Sequence, residues 1–300
     1  MTTVPAFFAG TQARVERAIA ATMRAPDTGP AAVGEAMRYT LLAPSKRVRA
    51  MLALVACDLC SPLTRRSATA PDTGDAAMPA AIAIEMVHAS SLILDDLPSM
   101  DNAPLRRGRP TCHVQFGEAI AVLAAFGLLN DAFGLVASAY DAPLARELAR
   151  LLSSAIGSDG LIAGQAEDLL STDRPVDFET LERIHRRKTG ALFIAAAVAG
   201  ATVAGAREDQ TRALEAYAKN LGLAFQIVDD LLDVTGDPAE TGKAVRADAR
   251  KTTFVSFGGV DGARELAAEL CRTADAALQP FGPRAAPLLE LSAFVASRRV

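Results

Sequence analysis

The sequence predicts an all-α fold, on three observations. Apolar residues recur at helical spacing through almost all of the 300 positions, and long segments lack the Val, Ile, Thr and Tyr alternation of strands. Half of the residues are hydrophobic, alanine is abundant and tryptophan is absent. A chain of this length could form two ordinary domains or one large helical core. Short connections favour one helical domain over 1–300, with an exposed loop near 61–79.

Taken in order, the pattern places helices near 5–24, 31–43, 46–60, 78–96, 115–139, 142–156, 160–171, 178–204, 208–234, 260–277 and 283–298. The third opens with SKRVR, Ser45 to Arg49. The fourth runs through apolar and small residues into LILDDLPSMD. The eighth carries HRRKTGALFIAAAVAG and the ninth ends in FQIVDDLLDVTGD. Between the third and fourth, SPLTRRSATAPDTGDAAMP is rich in Pro, Ser, Thr, Gly and Asp, the composition of an exposed loop. A second irregular stretch follows Val234.

Charge and composition exclude several classes. A net charge of −4, from 31 basic and 35 acidic residues, gives no general basic surface, so no nucleic-acid partner is expected. The stretches Ala119 to Leu129 and Ala191 to Ala206 fall short of the roughly 20 residues that cross a bilayer, so no integral membrane segment is expected. The N-terminus lacks the basic start and apolar core of a secretory signal, which makes cytoplasm the expected compartment. Cys57 and Cys60 form a CxxC without a second pair to complete a zinc site, and read as small core hydrophobes.

Two aspartate clusters, each ending an apolar helix, carry the chemistry. Asp229 and Asp233 are four apart, which puts both carboxylates on one helical face; Gln226 shares that face and Asp230 flanks it. Such a pair repels unless a cation neutralises it. Asp95 and Asp101 are six apart and would diverge on a continuous helix. Pro98, however, disfavours helix at Leu97 and lets the chain fold Asp101 back towards Asp95, with Asp96 adjacent. Hard carboxylate oxygens without a dedicated cage suit magnesium shared with substrate phosphates. Acidic runs at helix ends are commonly solvated surface, so the pairing of two clusters with nearby cations carries more weight than either alone.

Those cations are Lys46 and Arg49, three apart on one face, together with Arg106, Arg107, Lys188 and Lys243. Guanidinium forks match phosphate geometry, and ammonium groups act on phosphates as point charges. His88, two turns before Asp95, reads as a core histidine or a phosphate partner, and spacing alone favours the core.

These residues resemble the trans-prenyltransferases, the short-chain polyprenyl diphosphate synthases. DDLPSMD with LRRGRPTCH resembles the family's first aspartate-rich motif and FQIVDDLLDVTGD with TGK its second. SKRVR, GQAEDL and KTGALF fall in the expected order between Lys46 and Thr253. The resemblance implies an all-α isoprenoid-synthase bundle around a deep central cavity, usually a homodimer. It implies Mg2+ held by Asp95, Asp96, Asp101, Asp229, Asp230 and Asp233, three ions when substrate is bound. Lys46, Arg49, His88 and Arg107 would bind isopentenyl diphosphate. Arg106, Lys188, Thr189, Gln226 and Lys243 would hold the allylic diphosphate.

The chemistry so implied is metal-assisted ionisation, needing no side-chain nucleophile. A growing tail would run along the helix before Asp95, past Ser91 and Ser90, about 6–8 Å from the metal end. In this family a bulky aromatic five positions upstream is associated with a C15 product. Ser90 is small, and VHASSLILDD and LAAFGLLNDAF resemble bacterial geranylgeranyl diphosphate synthases, so a C20 product is expected, with C15 as the alternative. Phe126 and Phe133 could floor the pocket, or simply pack the core. Pro44-Ser45 and Ala50 depart from the family pattern, as does the short segment from Lys243 to Thr252. A noncatalytic partner subunit would lack intact aspartates. A terpene cyclase would lack the second DDxxD and have no use for Lys46, Arg49 and Arg107.

Overall fold

The computed structural model describes residues 6–23, 31–62, 73–235 and 251–298. The chain order is α1 Ala6–Thr22, α2 Ala31–Leu41, α3 Val48–Cys60, α4 Met78–Asp95, α5 Cys112–Phe116, α6 Glu118–Ala139, α7 Ala142–Ile156, α8 Leu161–Leu170, α9 Phe178–His185, α10 Ala191–Ala204, α11 Glu208–Thr235, α12 Val255–Ala277 and α13 Ala286–Ser297. The all-α expectation holds. The only strands among the described residues are the two-residue pair β1, Leu105–Arg106, and β2, Arg109–Pro110.

Where the elements depart from the sequence reading, local chemistry explains it. The helix expected at 115–139 is two, broken at Gly117, whose φ of 84° suits glycine alone. The helix expected at 178–204 contains a π turn at Arg186–Gly190, a widened turn of the kind found at functional sites. Gly259, at φ 66°, kinks the start of α12, which is why regular periodicity begins only at 260. Most of the loop expected at 61–79 lies outside the described residues; its end forms a 3-10 turn, Thr73–Ala77, leading into α4.

Layers pack by burying nearly featureless apolar helices. α4 lies against α6, α3 against α10, and α11 against α12. Residues such as Leu52, Ile84, Phe193 and Tyr217 form the main core, and a smaller one lies under α11 and α12 around Ile227 and Phe254. Gly200 permits the α3–α10 crossing, since a Cβ there would lie 2.0 Å from the Ala53 carbonyl oxygen. Cys57 and Cys60 are buried and free, and burial pushes the Cys60 thiol up to about 12.

One apolar helix is longer than its sequence suggested. Helix α6 is 22 residues long and, like the stretch ending at Asp95, is apolar enough to cross a bilayer by length and composition. The stretch Ala119 to Leu129 looked short because Asn130 and Asp131 follow it, but the helix continues through them. The α4 segment is mostly buried within the protein, whereas two thirds of α6's apolar window is not buried.

Candidate active site

Helix α4 stops at Asp95, and Asp96 caps it. The chain then coils back as Pro98 requires: the Asp101 amide donates to the Asp95 carbonyl at 3.0 Å, and Asn102, left-handed at φ 48°, donates to the Leu97 carbonyl. The aspartates brought together in this way are not equivalent. Asp96 is buried and gripped side-on by Arg106, with Nε at 2.8 and 2.9 Å from its two oxygens and Nη2 at 2.7 Å. Burial raises the Asp96 carboxyl above its ordinary range, and Arg106 only partly offsets this. Asp95 is half-buried and accepts from Gln165 at 2.7 Å and from Lys188 Nζ at 3.3 Å. Exposed Asp101 meets Lys251 Nζ at 2.9 Å.

The small hairpin after this loop separates two adjacent arginines. Arg107 and Gly108 have φ of 54° and 73°, the left-handed pair that a tight two-residue hairpin turn demands. Arg106 thereby reaches Asp96, while Arg107 reaches the Pro44 carbonyl at 3.0 Å, next to Lys46.

The π turn faces α8. Lys188 Nζ lies 2.7 Å from Asp168, and Lys251 Nζ lies 2.8 Å from the same oxygen. α8 comes this close because position 164 is glycine: a Cβ there would sit 2.2 Å from the Lys188 amide nitrogen. Burial works against the Asp168 carboxylate, but the two lysines outweigh it and hold its pKa down. His185, buried at the end of α9, is pushed down to about 4, chiefly by burial.

In the second cluster, Asp230 is buried, accepting from Gln226 Nε2 at 3.0 Å and from the Phe254 amide at 2.9 Å. Thr189 Oγ1 donates to the Gln226 side-chain oxygen Oε1 at 2.9 Å, so Thr189, Gln226, Asp230 and the start of α12 form one chain of bonds. Gln226 is thus tied to Asp230, the i+4 position, rather than to the Asp229–Asp233 face. Asp229 pairs with Arg298, whose guanidinium also lies 4.0 Å from the Phe225 ring. Asp233, one turn on, is half-buried. Lys243 lies outside the described residues.

The remaining cations gather beside the first turn of α3. Arg49 Nη1 is 3.4 Å from His88 Nε2, and its guanidinium lies 4.7 Å from the Phe193 ring. His88 is half-buried against Arg49, because two turns back from Asp95 is the α4 face that meets the N-terminus of α3. Burial, then Arg49 and Arg107, holds the His88 pKa well below its usual value, so it stays neutral. Burial also pushes Arg49 down to about 10, opposed by Glu85 and Asp229. Its Nε is a buried donor without a partner. Lys46 is half-buried at the α3 entrance. Asp229 acts on the charges of both Arg49 and Arg107, so the cradle and the second cluster belong to one region.

Gln165, Asp168, Lys251 and Arg298 were not singled out from sequence. GQAEDL was visible as a motif without residue roles, Lys251 falls in the segment read only as short, and nothing marks Arg298. Among the described residues no three His, Cys, Asp or Glu side chains form a ready-made metal cage. Ser90 is buried and donates to the Ala125 carbonyl of α6 at 2.8 Å, and Ser91 donates to the His88 carbonyl. Phe126 is 63% exposed, so it does not floor an interior pocket; Phe133 packs against the main core.

The polyprenyl synthetase family model matches residues 30–265. A chloroplastic geranylgeranyl pyrophosphate synthase of Catharanthus roseus is 44% identical over 276 residues, covering 90% of this chain and 74% of that protein. An FPP/GFPP synthase from Zymomonas mobilis, solved without ligand, superimposes with a TM-score of 0.84 at 34% identity, covering 98% of this chain and 99% of that one. A geranyltransferase from Helicobacter pylori, solved with magnesium and isoprenyl diphosphate, gives 0.84 at 30% identity, covering 99% and 97%.

Proposed function

The chain belongs to the polyprenyl synthetase family and is a prenyltransferase, and we propose that it joins isopentenyl diphosphate head-to-tail to an allylic diphosphate, ending at geranylgeranyl diphosphate. The observation that carries this reading is the division of charge. Asp95, Asp101 and Asp168 are bridged by Lys188 and Lys251 on one side, while Lys46, Arg49, His88 and Arg107 gather on the other. Two anionic head groups, one metal-bound and one not, fit that division.

The carboxylate oxygens suit magnesium, and lysines now balance the charge that metal would balance. Asp95 and Asp101 at one end, with Asp229 and Asp233 at the other, would hold three ions shared with the allylic diphosphate. Asp96 and Asp230, buried and already bonded, are better suited to fix Arg106 and Gln226. Magnesium supplies neutralisation of the departing diphosphate. Arg106, Lys188 and Lys251 add fixed positive charge where negative charge gathers as the carbon–oxygen bond breaks, and Thr189 and Gln226 orient that group. Arg49, with its unpaired Nε, holds isopentenyl diphosphate beside neutral His88 and next to Lys46 and Arg107. The isopentenyl double bond attacks the allylic cation, and loss of a proton to the released diphosphate restores an alkene.

The small side chains of Ser90 and Ser91 on the helix leading to Asp95, and the geranylgeranyl relatives, support the C20 product. Leu123 and Phe126 on the apolar outer face of α6 support a second copy as partner. Incubation with magnesium, isopentenyl diphosphate and C5, C10 or C15 allylic diphosphates should give geranylgeranyl diphosphate. No condensation with any primer would sink the reading, and a dominant farnesyl product would sink only the length.

A further inference from the structure

Two buried charges next to the cationic cradle touch no substrate in the reading above. Arg47 is 4% exposed, and its backbone is left-handed at φ 51°. Its guanidinium donates to Glu16 at 2.7 and 3.2 Å, to Glu85 at 3.1 Å, and to the Leu41 and Ala43 carbonyls at 2.5 and 3.3 Å. One side chain thus ties α1, the end of α2 and α4 to the entrance of α3. Glu85 is 2% exposed and uses its second oxygen to accept from the Ala50 amide at 3.2 Å.

That amide belongs to the first turn of α3, where N–H groups have no helical partner. Arg47 sits at the helix cap and supplies no side-chain bond to it. Glu85 therefore caps α3 from another helix. Arg49 stands between Arg47 and Ala50, in the turn that Glu85 holds from both sides. On α4, His88 is three residues past Glu85, on the same face, and meets Arg49 at 3.4 Å. Lys46 directly precedes Arg47.

We propose that Glu85, through Arg47 and the Ala50 amide, is the positioning residue for the isopentenyl diphosphate cradle formed by Lys46, Arg49 and His88. It fixes the register between α3 and α4, and with it the separation of the cradle's donors. It also supplies the buried negative charge that lets Arg47 and Arg49 stand side by side while Arg49's own donors stay directed to a ligand. The inference rests on the two-diphosphate reading above.

The test is initial-rate kinetics on Glu85→Gln and Glu85→Asp, varying each substrate in turn, with Arg49→Ala as reference. Both Glu85 variants should raise KM for isopentenyl diphosphate, Glu85→Gln by about tenfold or more and Glu85→Asp by less, the scale of one charged hydrogen bond. KM for the allylic diphosphate should stay within about twofold, because only one half of the site has lost its positioning. If Glu85→Gln does not fold, Glu85→Asp carries the test, and an unchanged isopentenyl KM overturns the proposal. An equal rise in both KM values, or a fall in melting temperature with neither KM changed, overturns it too, since a merely structural role predicts one or the other. Arg49→Ala separates the two levels. If it fails to raise isopentenyl KM, the cradle assignment falls and the proposal with it. If it raises KM while the Glu85 variants do not, only the proposal falls.

Discussion

Asp95 and Asp96 are neighbours in sequence with opposite surroundings, and the difference sets what each can do. Asp95 is half-buried among Gln165 and Lys188, whereas Asp96 is buried in the fork of Arg106. Asp95→Ala should therefore lower kcat by at least about a hundredfold by removing a metal ligand. Asp96→Asn should act through Arg106, raising the allylic KM and lowering stability, which a chelator titration and a melting curve on the two variants would separate. His185 gives a pH prediction with a definite sign. Its folded pKa of about 4 lies below the ordinary 6.5, so below pH 6.5 the unfolded chain takes up a proton that the folded chain refuses. Stability present above pH 6.5 is lost as pH falls towards 4, by up to roughly 3 kcal/mol. Urea unfolding of wild type and His185→Gln at pH 7 and 5 measures this; equal pH dependence in both proteins would refute it. The two aspartate clusters and the cations that follow them closely were legible in sequence because grouped charge stands out against apolar helices, whereas Asp168, a single acid within GQAEDL, did not. The contact of His88 with Arg49 was not legible, since it depends on which helix faces α4 there.

At the scale of elements, the site depends on backbones that approach closely. Gly164 lets α8 lie against the π turn, so that Asp168 reaches Lys188 and Gln165 reaches Asp95. Gly164→Ala should push α8 away, costing roughly 1–3 kcal/mol of stability and lowering activity with little change in isopentenyl KM. A fully active, equally stable variant would contradict the packing account. Ser90 joins α4 to α6 through the Ala125 carbonyl. Ser90→Tyr should shorten the product to farnesyl diphosphate if the tail runs along α4; an unchanged product from a folded variant would remove Ser90 from the chain-length wall. Periodicity made nearly every helix visible, and Pro98 marked the fold-back. The π turn was hidden because α10, which follows it, is apolar on every side, so the shift in helical phase that the wider turn introduces leaves no mark in the pattern; the Arg107–Gly108 hairpin was hidden because strands of two residues are too short to show alternation. Lys251 and Arg298 were hidden for a different reason: they meet Asp168 and Asp229 across 83 and 69 positions of sequence.

At the scale of the whole molecule, two faces call for partners of different kinds. The outer face of α6 exposes Leu123 and Phe126, at 52% and 63%, and a second copy would cover it. Phe126→Glu with Leu123→Glu should convert a dimer to a monomer in sedimentation, and a monomeric wild type would end that idea. Inside, helices from both halves of the sequence converge, since Lys188 meets Asp95 across 93 positions, and the proposed function needs the first aspartates, the second aspartates and the cradle to act as a single site with two diphosphate halves. The most direct measurement of that claim is a two-substrate kinetic comparison of Lys188→Ala and Arg49→Ala. Lys188 touches Asp95 and Asp168, so its loss should raise the allylic KM by about tenfold and leave the isopentenyl KM nearly unchanged. Arg49→Ala should do the reverse. If both variants raise both values equally, or if each raises the other's substrate, the division of the site into an allylic and an isopentenyl half is contradicted.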